Sequence, residues 1–454
     1  MSRHASDKPE LPTRGATFPR PHLTLLDSTS IIVGIIIGST IFLSAPRIAE
    51  HVPNIGWLVG VWVIGAVFSL FGSLCYAELA TARPKEGGDY VFLTEAFGRK
   101  IGFLFAWAQF WIVRPGSIGT LAFVFADYAC RLYPLDESYR PLLVYAVGAV
   151  VVLSGINLLG VRAGKWTQNL LTLVKFLGLL IIVGVGMSLS IQATPAAAPP
   201  PAKKLDLGFA LIFVFLAYGG WNEMAYVSAE VRHPQKNILR ALLLGTLAVS
   251  VVYIAVNLAF VHALGLGGLQ QSQAVATDVL SLGIGHPAGK CISLLICITA
   301  LGGINGMIFT GARIFYALGT EHRLFAWLGQ WNSKTNSPAY PLMIQAAVTV
   351  ALTIGFGWKQ EGLDGFQNSV AFYSPAFWLF LYLVGHSLFV LRAKPSASTG
   401  TFRVPFYPVV PFLFCLSSAF MFFKSLDYAV EQTPWGLLAS AVVLGIGGLL
   451  SFHK

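Results

Sequence analysis

Two long apolar segments of this chain carry glycines where a membrane-spanning helix normally continues without a break. Residues 31–42 have the sequence IIVGIIIGSTIF, and residues 213–222 have the sequence FVFLAYGGWN. A helix that breaks inside a bilayer leaves N–H and C=O groups that hydrocarbon cannot satisfy, so the break has to line a cavity within the protein. Interrupted apolar segments at matching places in two halves of a chain indicate the substrate site of a transporter. We therefore predict solute transport, and the alternative is that these glycines are helix-packing positions.

The composition places the chain in a membrane. Of its 454 residues, 55% are hydrophobic and only 11% are charged, and the mean hydropathy is +0.69. A chain this apolar belongs in a lipid bilayer rather than in water. The net charge of +10 does not indicate a nucleic-acid partner, because the basic residues are spread over short loops instead of forming one patch.

Apolar runs of about 20 residues or more predict the membrane topology. Lys and Arg concentrate in the loops on one side, which predicts cytoplasmic N- and C-termini in a multi-pass protein of the plasma (inner) membrane. Residues 1–22 lack an apolar signal-peptide region, so we expect the first helix to direct insertion. The runs predict about twelve helices, near residues 24–50, 57–82, 101–132, 141–160, 166–190, 206–230, 238–265, 287–318, 338–357, 366–392, 405–426 and 434–452.

A proline-rich linker, TPAAAPPPA at residues 194–202, divides the predicted helices into two halves. Each half has five spans, so the second enters the membrane from the opposite side, as an inverted repeat requires. The polar segment 83–100 is expected to be a cytoplasmic loop or re-entrant helix near the inner mouth. The predicted divisions are a tail (1–23), a first repeat (24–190), an external linker (191–205), a second repeat (206–392) and two added helices (393–454).

The helix breaks offer both kinds of group that an amino acid zwitterion needs. If the first broken helix restarts after Gly38, the N–H groups of its new first turn point at the substrate carboxylate, with the positive end of the helix dipole behind them. Carbonyls that end the preceding half, together with carbonyls at the second break, then face the ammonium. The helix breaks are assigned to Gly38 and Gly220, the N–H donors to Ser39, Thr40 and Ile41, and the ammonium contacts to Ile36, Leu216 and Gly219.

Each of the side chains in and near the second break, and Arg114 with them, has two possible roles. Trp221 is expected either to wall the substrate cavity or to belong to the core. Asn222 is expected either to hydrogen-bond the substrate or to cap the break. Arg114, deep in the third span, and Glu223 are candidates for recognising the substrate side chain, and the alternative is that they pair with each other or with the scaffold.

Lys175 lies in the middle of the fifth span, about 15 Å of helix rise from either end. Its aliphatic stem is too short to bring the ammonium fully to the interface. A lysine at this depth costs about 2.5–3.5 kcal/mol on insertion scales, so we expect it to face carbonyls or a wet cavity. Its role is either coupling or a structural ion pair.

Nothing in the sequence predicts catalysis, a cofactor or a metal site. GVRAGK at residues 160–165 and GHPAGK at residues 285–290 are one residue short of a phosphate-binding loop, and neither is followed by Ser or Thr. The five cysteines lack C-x-x-C spacing and are expected to be small core residues. We predict that the chain is not an enzyme.

Several motifs together resemble the L-type amino acid transporter branch of the amino acid–polyamine–organocation superfamily. The similarity extends from about residue 24 to residue 450. The motifs are GSTIF (38–42), YAEL with GGDY (76–90), RPGS (114–117), AYGGWN (217–222), RHPQKNILRA (232–241), GGINGMIFTGAR (302–313) and FRVPFYPVVP (402–411).

The resemblance implies an all-α LeuT-type fold with a 5+5 inverted repeat and broken first and sixth helices. It also implies that the Lys175 ammonium occupies the position of a coupling cation and connects the fifth helix to the first and the eighth. The hydroxyl of Thr299 is the expected partner of this ammonium. Two positions depart from the usual pattern: Thr40 replaces glycine in G-S-G-I-F, and Leu216 replaces an aromatic gate. Thr40 is expected to narrow the site.

We therefore predict sodium-independent exchange of neutral amino acids by alternating access. Proton-coupled symport is the alternative, because a desolvated lysine can lose its proton. A membrane-embedded receptor or channel is the alternative from another class. Animal members of the resembled family bind a glycoprotein subunit through a cysteine in the loop after the third helix. Residues 131–141, RLYPLDESYRP, contain no cysteine, so no disulfide-linked heavy subunit is expected.

Overall fold

The computed structural model describes residues 21–136, 140–189, 205–358, 364–394 and 402–452. Most of the predicted tail (1–23) and nearly all of the predicted external linker (191–205) lie outside these residues. The α-helices are α1 (Leu25–Ile36), α2 (Thr40–Ala49), α3 (Ile55–Ala82), α4 (Asp89–Phe97), α5 (Arg99–Ala108), α6 (Arg114–Leu132), α7 (Pro141–Leu158), α8 (Val161–Ser188), α9 (Leu207–Tyr218), α10 (Pro234–Gln271), α11 (Val275–Ile284), α12 (Ala288–Glu321), α13 (Ala339–Gly357), α14 (Asp364–Ala393), α15 (Val409–Gln432) and α16 (Pro434–Leu450).

Two predicted spans are broken at the glycine motifs. The first consists of α1 and α2, separated by residues 37–39, and the sixth consists of α9 followed by a 3₁₀ helix, Trp221–Glu230. The run of β-branched isoleucines next to Gly38 has low helix propensity, which favours a break at this point. The two broken helices and the helical architecture agree with the predicted fold class.

Nine spans of the described residues are long and apolar enough to cross a membrane, with the sixth span counted as one unit. The other three predicted spans do not meet these criteria as single helices. The first is divided into α1 and α2, the third contains a π-helical turn, Gln109–Val113, between α5 and α6, and the last, α16, has 17 residues. The count of twelve therefore stays a prediction.

Two helical segments lie outside the predicted spans. The predicted spans place a connection between the seventh and the eighth, but this segment forms α11. The helix buries Val275, Val279 and Leu280 against neighbouring helices. The seventh span continues to Gln271, beyond its predicted end near residue 265, because the chain bends at Gly265 (φ 68°) and resumes as helix. Both segments are short amphipathic pieces next to glycine, which a 20-residue apolar window does not detect.

The helices pack in two groups around the breaks. α1 packs on α10, α10 packs on α3 and α3 packs on α9, whereas α6, α7, α12 and α13 pack with one another, and α8 contacts both α1 and α12. α14 packs mainly on α15. The two breaks lie where the first group meets α8 and α12, which puts the interrupted backbone inside the protein.

The chain is tied together where α1 begins, on the predicted cytoplasmic side. The N–H groups of His22 and Leu23 donate to the carbonyl of Glu230 at 2.8 and 2.9 Å, and Arg232 N–H donates to the Leu23 carbonyl at 2.9 Å. Asp27 in the first turn of α1 accepts from Lys165 of α8 at 2.9 Å. The start of the first span is thereby bound to the end of the sixth span and to the start of the fifth.

Candidate functional site

The two helix breaks lie against each other. Gly220 has φ 118°, and a Cβ atom built on it would lie 2.7 Å from Cγ2 of Ile35, so only glycine permits this approach of the second break to α1. The Tyr253 hydroxyl donates to the carbonyl of Ile36 at 2.9 Å and contacts the carbonyl of Ala217 at 3.3 Å. One α10 side chain thus connects the carbonyls that end α1 and α9.

Gly38 and Gly219, in contrast to Gly220, have room for a Cβ atom. A Cβ atom on Gly38 would have its nearest neighbours at 3.8 Å or more, among them Oγ1 of Thr40 at 3.9 Å. A Cβ atom on Gly219 would meet only the carbonyl oxygens of Leu216 and Phe215, at 3.6 and 3.7 Å. Both breaks therefore leave room for a small group beside the backbone.

The first turn of α2 presents free donors at this space. No described residue accepts a hydrogen bond from the N–H groups of Ser39, Thr40 or Ile41. Unpaired N–H groups are inherent to the start of a helix, and the helix dipole adds partial positive charge there. The three predicted donors are therefore available to an anion through backbone N–H groups alone.

The predicted ammonium acceptors differ in the hydrogen bonds that they already accept within the protein. The Ile36 carbonyl already accepts from Tyr253, and it retains one lone pair for a further donor. The Leu216 carbonyl accepts no hydrogen bond from a described residue, and the Leu216 side chain is 40% exposed. The free carbonyls at the end of α9 therefore offer the more available acceptors.

Lys175 is fully buried and is held by carbonyls of two other helices. Its Nζ donates to the Gly34 carbonyl and to the Ile37 carbonyl, the latter at 3.1 Å, and it contacts the Thr299 carbonyl at 3.4 Å. Thr299 thus contacts the ammonium through its carbonyl and not through the predicted hydroxyl, whose Oγ1 donates to the Leu295 carbonyl one turn earlier in α12. The ammonium joins α8 to α1 and α12 through backbone oxygens.

Arg114 and Glu223 pair with each other, which is one of the two roles that the sequence allows for them. Arg114 Nη1 donates to Glu223 Oε2 at 2.8 Å, and both side chains are buried. Gln109 and Thr310 supply further hydrogen bonds to the pair. Glu223 is therefore neutralised by its partner, and the π-helical turn at residues 109–113 brings Gln109 to the arginine.

A second polar cluster beside this pair was missed by sequence reasoning. Asp89 Oδ2 accepts from the hydroxyls of Tyr76 and Tyr226, at 3.0 and 2.6 Å, and the Arg114 guanidinium lies 4.9 Å from the Tyr226 ring centroid. Asp89 begins α4, outside the predicted spans, and burial raises the pKa of its carboxyl to about 7. The GGDY motif was the signal for it, since two glycines before an acid in an apolar setting indicate a close backbone contact.

Trp221 and Asn222 are both buried on the side of the break that faces α3 and α15. The Trp221 ring packs edge-on against Tyr76 and Phe414, with ring centroids 5.1 and 5.6 Å apart. Both residues line a small cavity of about 30 Å³ between the second break, α3, α14 and α15. The contacts of Trp221 are those of a core residue.

The geometry therefore consists of two opposed breaks, free N–H donors, free carbonyls and a buried cation behind them. A family model described as amino acid permease matches residues 23–448 of the chain. The chain is an amino acid permease. The permease is accordingly a multi-pass membrane transporter and not an enzyme.

Individual relatives agree with this assignment over nearly the whole chain. The permease is 29% identical to b(0,+)-type amino acid transporter 1 of Homo sapiens over 438 residues, 95% of this chain and 87% of that protein. It is 27% identical to the serine/threonine exchanger SteT of Bacillus subtilis (strain 168) over 438 residues, 96% of each chain. It is 31% identical to Asc-type amino acid transporter 1 of Homo sapiens over 349 residues, 74% of this chain and 66% of that protein. The permease belongs to the L-type branch of the amino acid–polyamine–organocation superfamily.

Proposed function

We propose that the permease exchanges neutral amino acids across the plasma membrane without sodium. The observation that carries the proposal is the group of unpaired N–H donors at Ser39, Thr40 and Ile41, at the start of α2 beside Gly38. A carboxylate is the ligand for which such a helix N-terminus is suited. One of the relatives, SteT, is by its name an exchanger of serine and threonine, which supports exchange of small neutral substrates.

The substrate side chain meets an apolar environment in this proposal. Glu223 and Arg114 are bound to each other, so neither offers an unpaired charge to a substrate side chain. The nearby side chains of Thr40, beside Gly38, and Leu216, near the second break, are uncharged. A site without a free charge favours neutral over acidic or basic amino acids.

Sodium independence follows from Lys175. The Lys175 ammonium supplies the positive charge that a coupling cation would bring, and it already engages carbonyls of α1 and α12. A second cation at this low-dielectric position would be strongly repelled. The backbone is thus held without an ion that has to bind and leave in each cycle.

Alternating access requires the ties at the start of α1 to open. The bonds of Leu23 with Glu230 and Arg232, and of Asp27 with Lys165, keep the predicted cytoplasmic side closed. Release to the inside would separate α1 from α8 and from the end of the sixth span, as in rocking of one bundle against the other.

The proposal includes the topology and the assembly of the permease. Both termini are cytoplasmic, two five-helix repeats of opposite orientation precede two added helices, and the single chain works without a disulfide-linked subunit. The arginine and lysine distribution supports this orientation. The absence of cysteine from residues 131–141 supports independence from such a subunit.

Counterflow in proteoliposomes tests the proposal. The purified chain is reconstituted, vesicles are loaded with one unlabelled neutral amino acid at a time, and uptake of the same labelled amino acid is measured. Exchange predicts uptake that depends on internal amino acid, with liposomes lacking protein as the control. Uptake into empty vesicles driven by an inward proton gradient would instead indicate the symporter, and binding without counterflow would indicate a receptor.

A further inference from the structure

A second cavity, remote from the helix breaks, lies between the C-terminal ends of α3 and α14 and the segment that leads into α15. Its volume is about 390 Å³, which is within the range of small-molecule binding sites. Three arginines, Arg83, Arg392 and Arg403, line it together with aromatic rings that include Phe389 and Tyr407. Neither the amino acid site nor the transport cycle described above uses this cavity.

The one carboxylate in the cavity wall is fully engaged. Glu78 Oε1 accepts from Arg392 Nε at 2.6 Å, and Oε2 accepts from Arg392 Nη2 and from the Val404 N–H, the latter at 2.6 Å. The Arg392 guanidinium also lies 4.0 Å from the centroid of the Tyr407 ring. Glu78 therefore holds Arg392 in place and has little acceptor capacity left for other arginines.

The remaining guanidinium groups have donors to spare. Arg83 donates to Glu95 through Nε, and no described residue accepts from its two terminal nitrogens. Arg403 is exposed and makes no ion pair or hydrogen bond with any described residue. The cavity wall therefore presents the unpaired positive charge of Arg403 and the spare planar N–H donors of Arg83, the arrangement that recognises phosphate oxygens.

An apolar strip extends from the cavity along the outer face of α15. Val409, Phe412 and Leu416 are 56, 60 and 54% exposed, and their spacing of three and four residues places them on one face of α15. Phe406, which is 81% exposed, lies in the segment just before the helix. The arginines belong to the loops predicted to be cytoplasmic, the side on which anionic lipids face the protein. Phosphate donors next to an exposed apolar strip match a lipid with its headgroup in the cavity and its acyl chains on α15.

We propose that this cavity binds the phosphate headgroup of an anionic phospholipid from the cytoplasmic leaflet. Arg83 and Arg403 donate to the phosphate, Arg392 supplies further positive charge, and the strip on α15 receives the acyl chain. A soluble phosphate shares the headgroup chemistry, but it would leave the strip without a role. The proposal is independent of which amino acid is carried.

Lipid titration of the purified full chain tests the proposal. Native mass spectrometry in detergent at fixed ionic strength measures the binding of palmitoyl-oleoyl phosphatidylglycerol and of the corresponding phosphatidylcholine. We expect selective binding of phosphatidylglycerol, and a loss of about fivefold in its affinity for Arg403→Ala, given about 1 kcal/mol per basic residue near anionic lipid. Arg403→Lys should retain most of the affinity. Arg323→Ala is the matched control, because Arg323 is also exposed and predicted to be cytoplasmic but lies outside the cavity.

Three results would overturn the assignment. Equal binding of the two lipids, or an unchanged phosphatidylglycerol affinity in Arg403→Ala, would mean that the cavity does not recognise the headgroup. Displacement of phosphatidylglycerol by millimolar glycerol phosphate, with equal thermal stabilisation by glycerol phosphate alone, would identify a soluble anion as the ligand. Counterflow is not needed for any of these measurements, so they are independent of the proposed transport function.

Discussion

Arg114 Nη1 and Glu223 Oε2 are 2.8 Å apart and join α6 to the 3₁₀ half of the broken sixth span. The contact is an inter-helix pair with both partners buried, next to the Asp89 cluster. A buried pair of this kind is weak evidence of stability by itself, but removing one partner leaves an uncompensated charge.

Arg114→Ala is therefore expected to destabilise the permease by about 3–5 kcal/mol, because Glu223 stays buried without its counter-ion. The double variant Arg114→Ala, Glu223→Gln should recover part of the loss. Thermal unfolding in detergent measures both. Lys424→Ala is the control, since its pair with Asp427 at 3.1 Å is exposed and should be worth less than about 1 kcal/mol. Equal melting temperatures for Arg114→Ala and the control would contradict a stabilising role of the pair.

Neighbouring glycines of the second break should respond differently to the same substitution. Gly219→Val should fold and insert but lose transport, because its backbone is in the extended region (φ −65°, ψ 152°) and its new side chain would occupy the open space. Gly220→Val should lower the thermal stability and the yield of folded protein, because φ is 118° and the side chain would collide with Ile35. Size-exclusion profiles and counterflow distinguish the two outcomes. Normal transport by Gly219→Val would show that this space is not the substrate site.

The side chain of Thr40 borders the same space as Gly38. Thr40→Gly should enlarge the site and improve the relative affinity for bulkier amino acids by roughly 1–3 kcal/mol, the range of a few methyl-sized groups in a pocket. Thr40→Ser, which removes only the methyl group, should give a smaller shift in the same direction. Competition by a series of amino acids of increasing size measures the change. An unchanged profile in Thr40→Gly would mean that this side chain does not contact the substrate.

The backbone anion site makes a prediction about substrate chemistry. Amides and methyl esters of a transported amino acid should compete poorly, because a neutral group forfeits the charge-assisted hydrogen bonds from Ser39, Thr40 and Ile41. The parent amino acid and its amide are compared as competitors at equal concentration. Equal inhibition by both would exclude recognition of the carboxylate by these N–H groups.

The broken helices could be predicted from the sequence because glycine motifs within apolar runs have few other physical explanations. The contacts around Lys175 were predictable in kind, since a lysine at mid-membrane depth requires oxygen ligands. The identity of the oxygens was not, because a helical threonine hydroxyl can bond to its own helix, as Thr299 does with Leu295. Residue spacing alone does not show whether such a hydroxyl bonds to its own helix or to a residue of another helix.

The polar contacts between distant segments were the least predictable part of the site. Tyr253 reaches the carbonyls of both breaks, and Asp89 receives two tyrosine hydroxyls from α3 and the sixth span. These residues are far apart in sequence, and their partners depend on how the helices pack. For the same reason, the sequence did not distinguish pairing of Arg114 with Glu223 from substrate recognition by these residues.

We propose that the Lys175 ammonium replaces a coupling cation behind the proposed substrate site. Lys175→Ala should slow exchange at every pH if the ammonium only holds α1, α8 and α12 together. Loss of pH dependence with preserved exchange in this variant would instead assign a coupling proton to Lys175. The most direct measurement is counterflow by the unmodified permease in sodium buffer and in choline buffer of equal ionic strength. Equal rates in the two buffers are expected, and strict dependence of uptake on sodium would contradict the replacement of a coupling cation by Lys175.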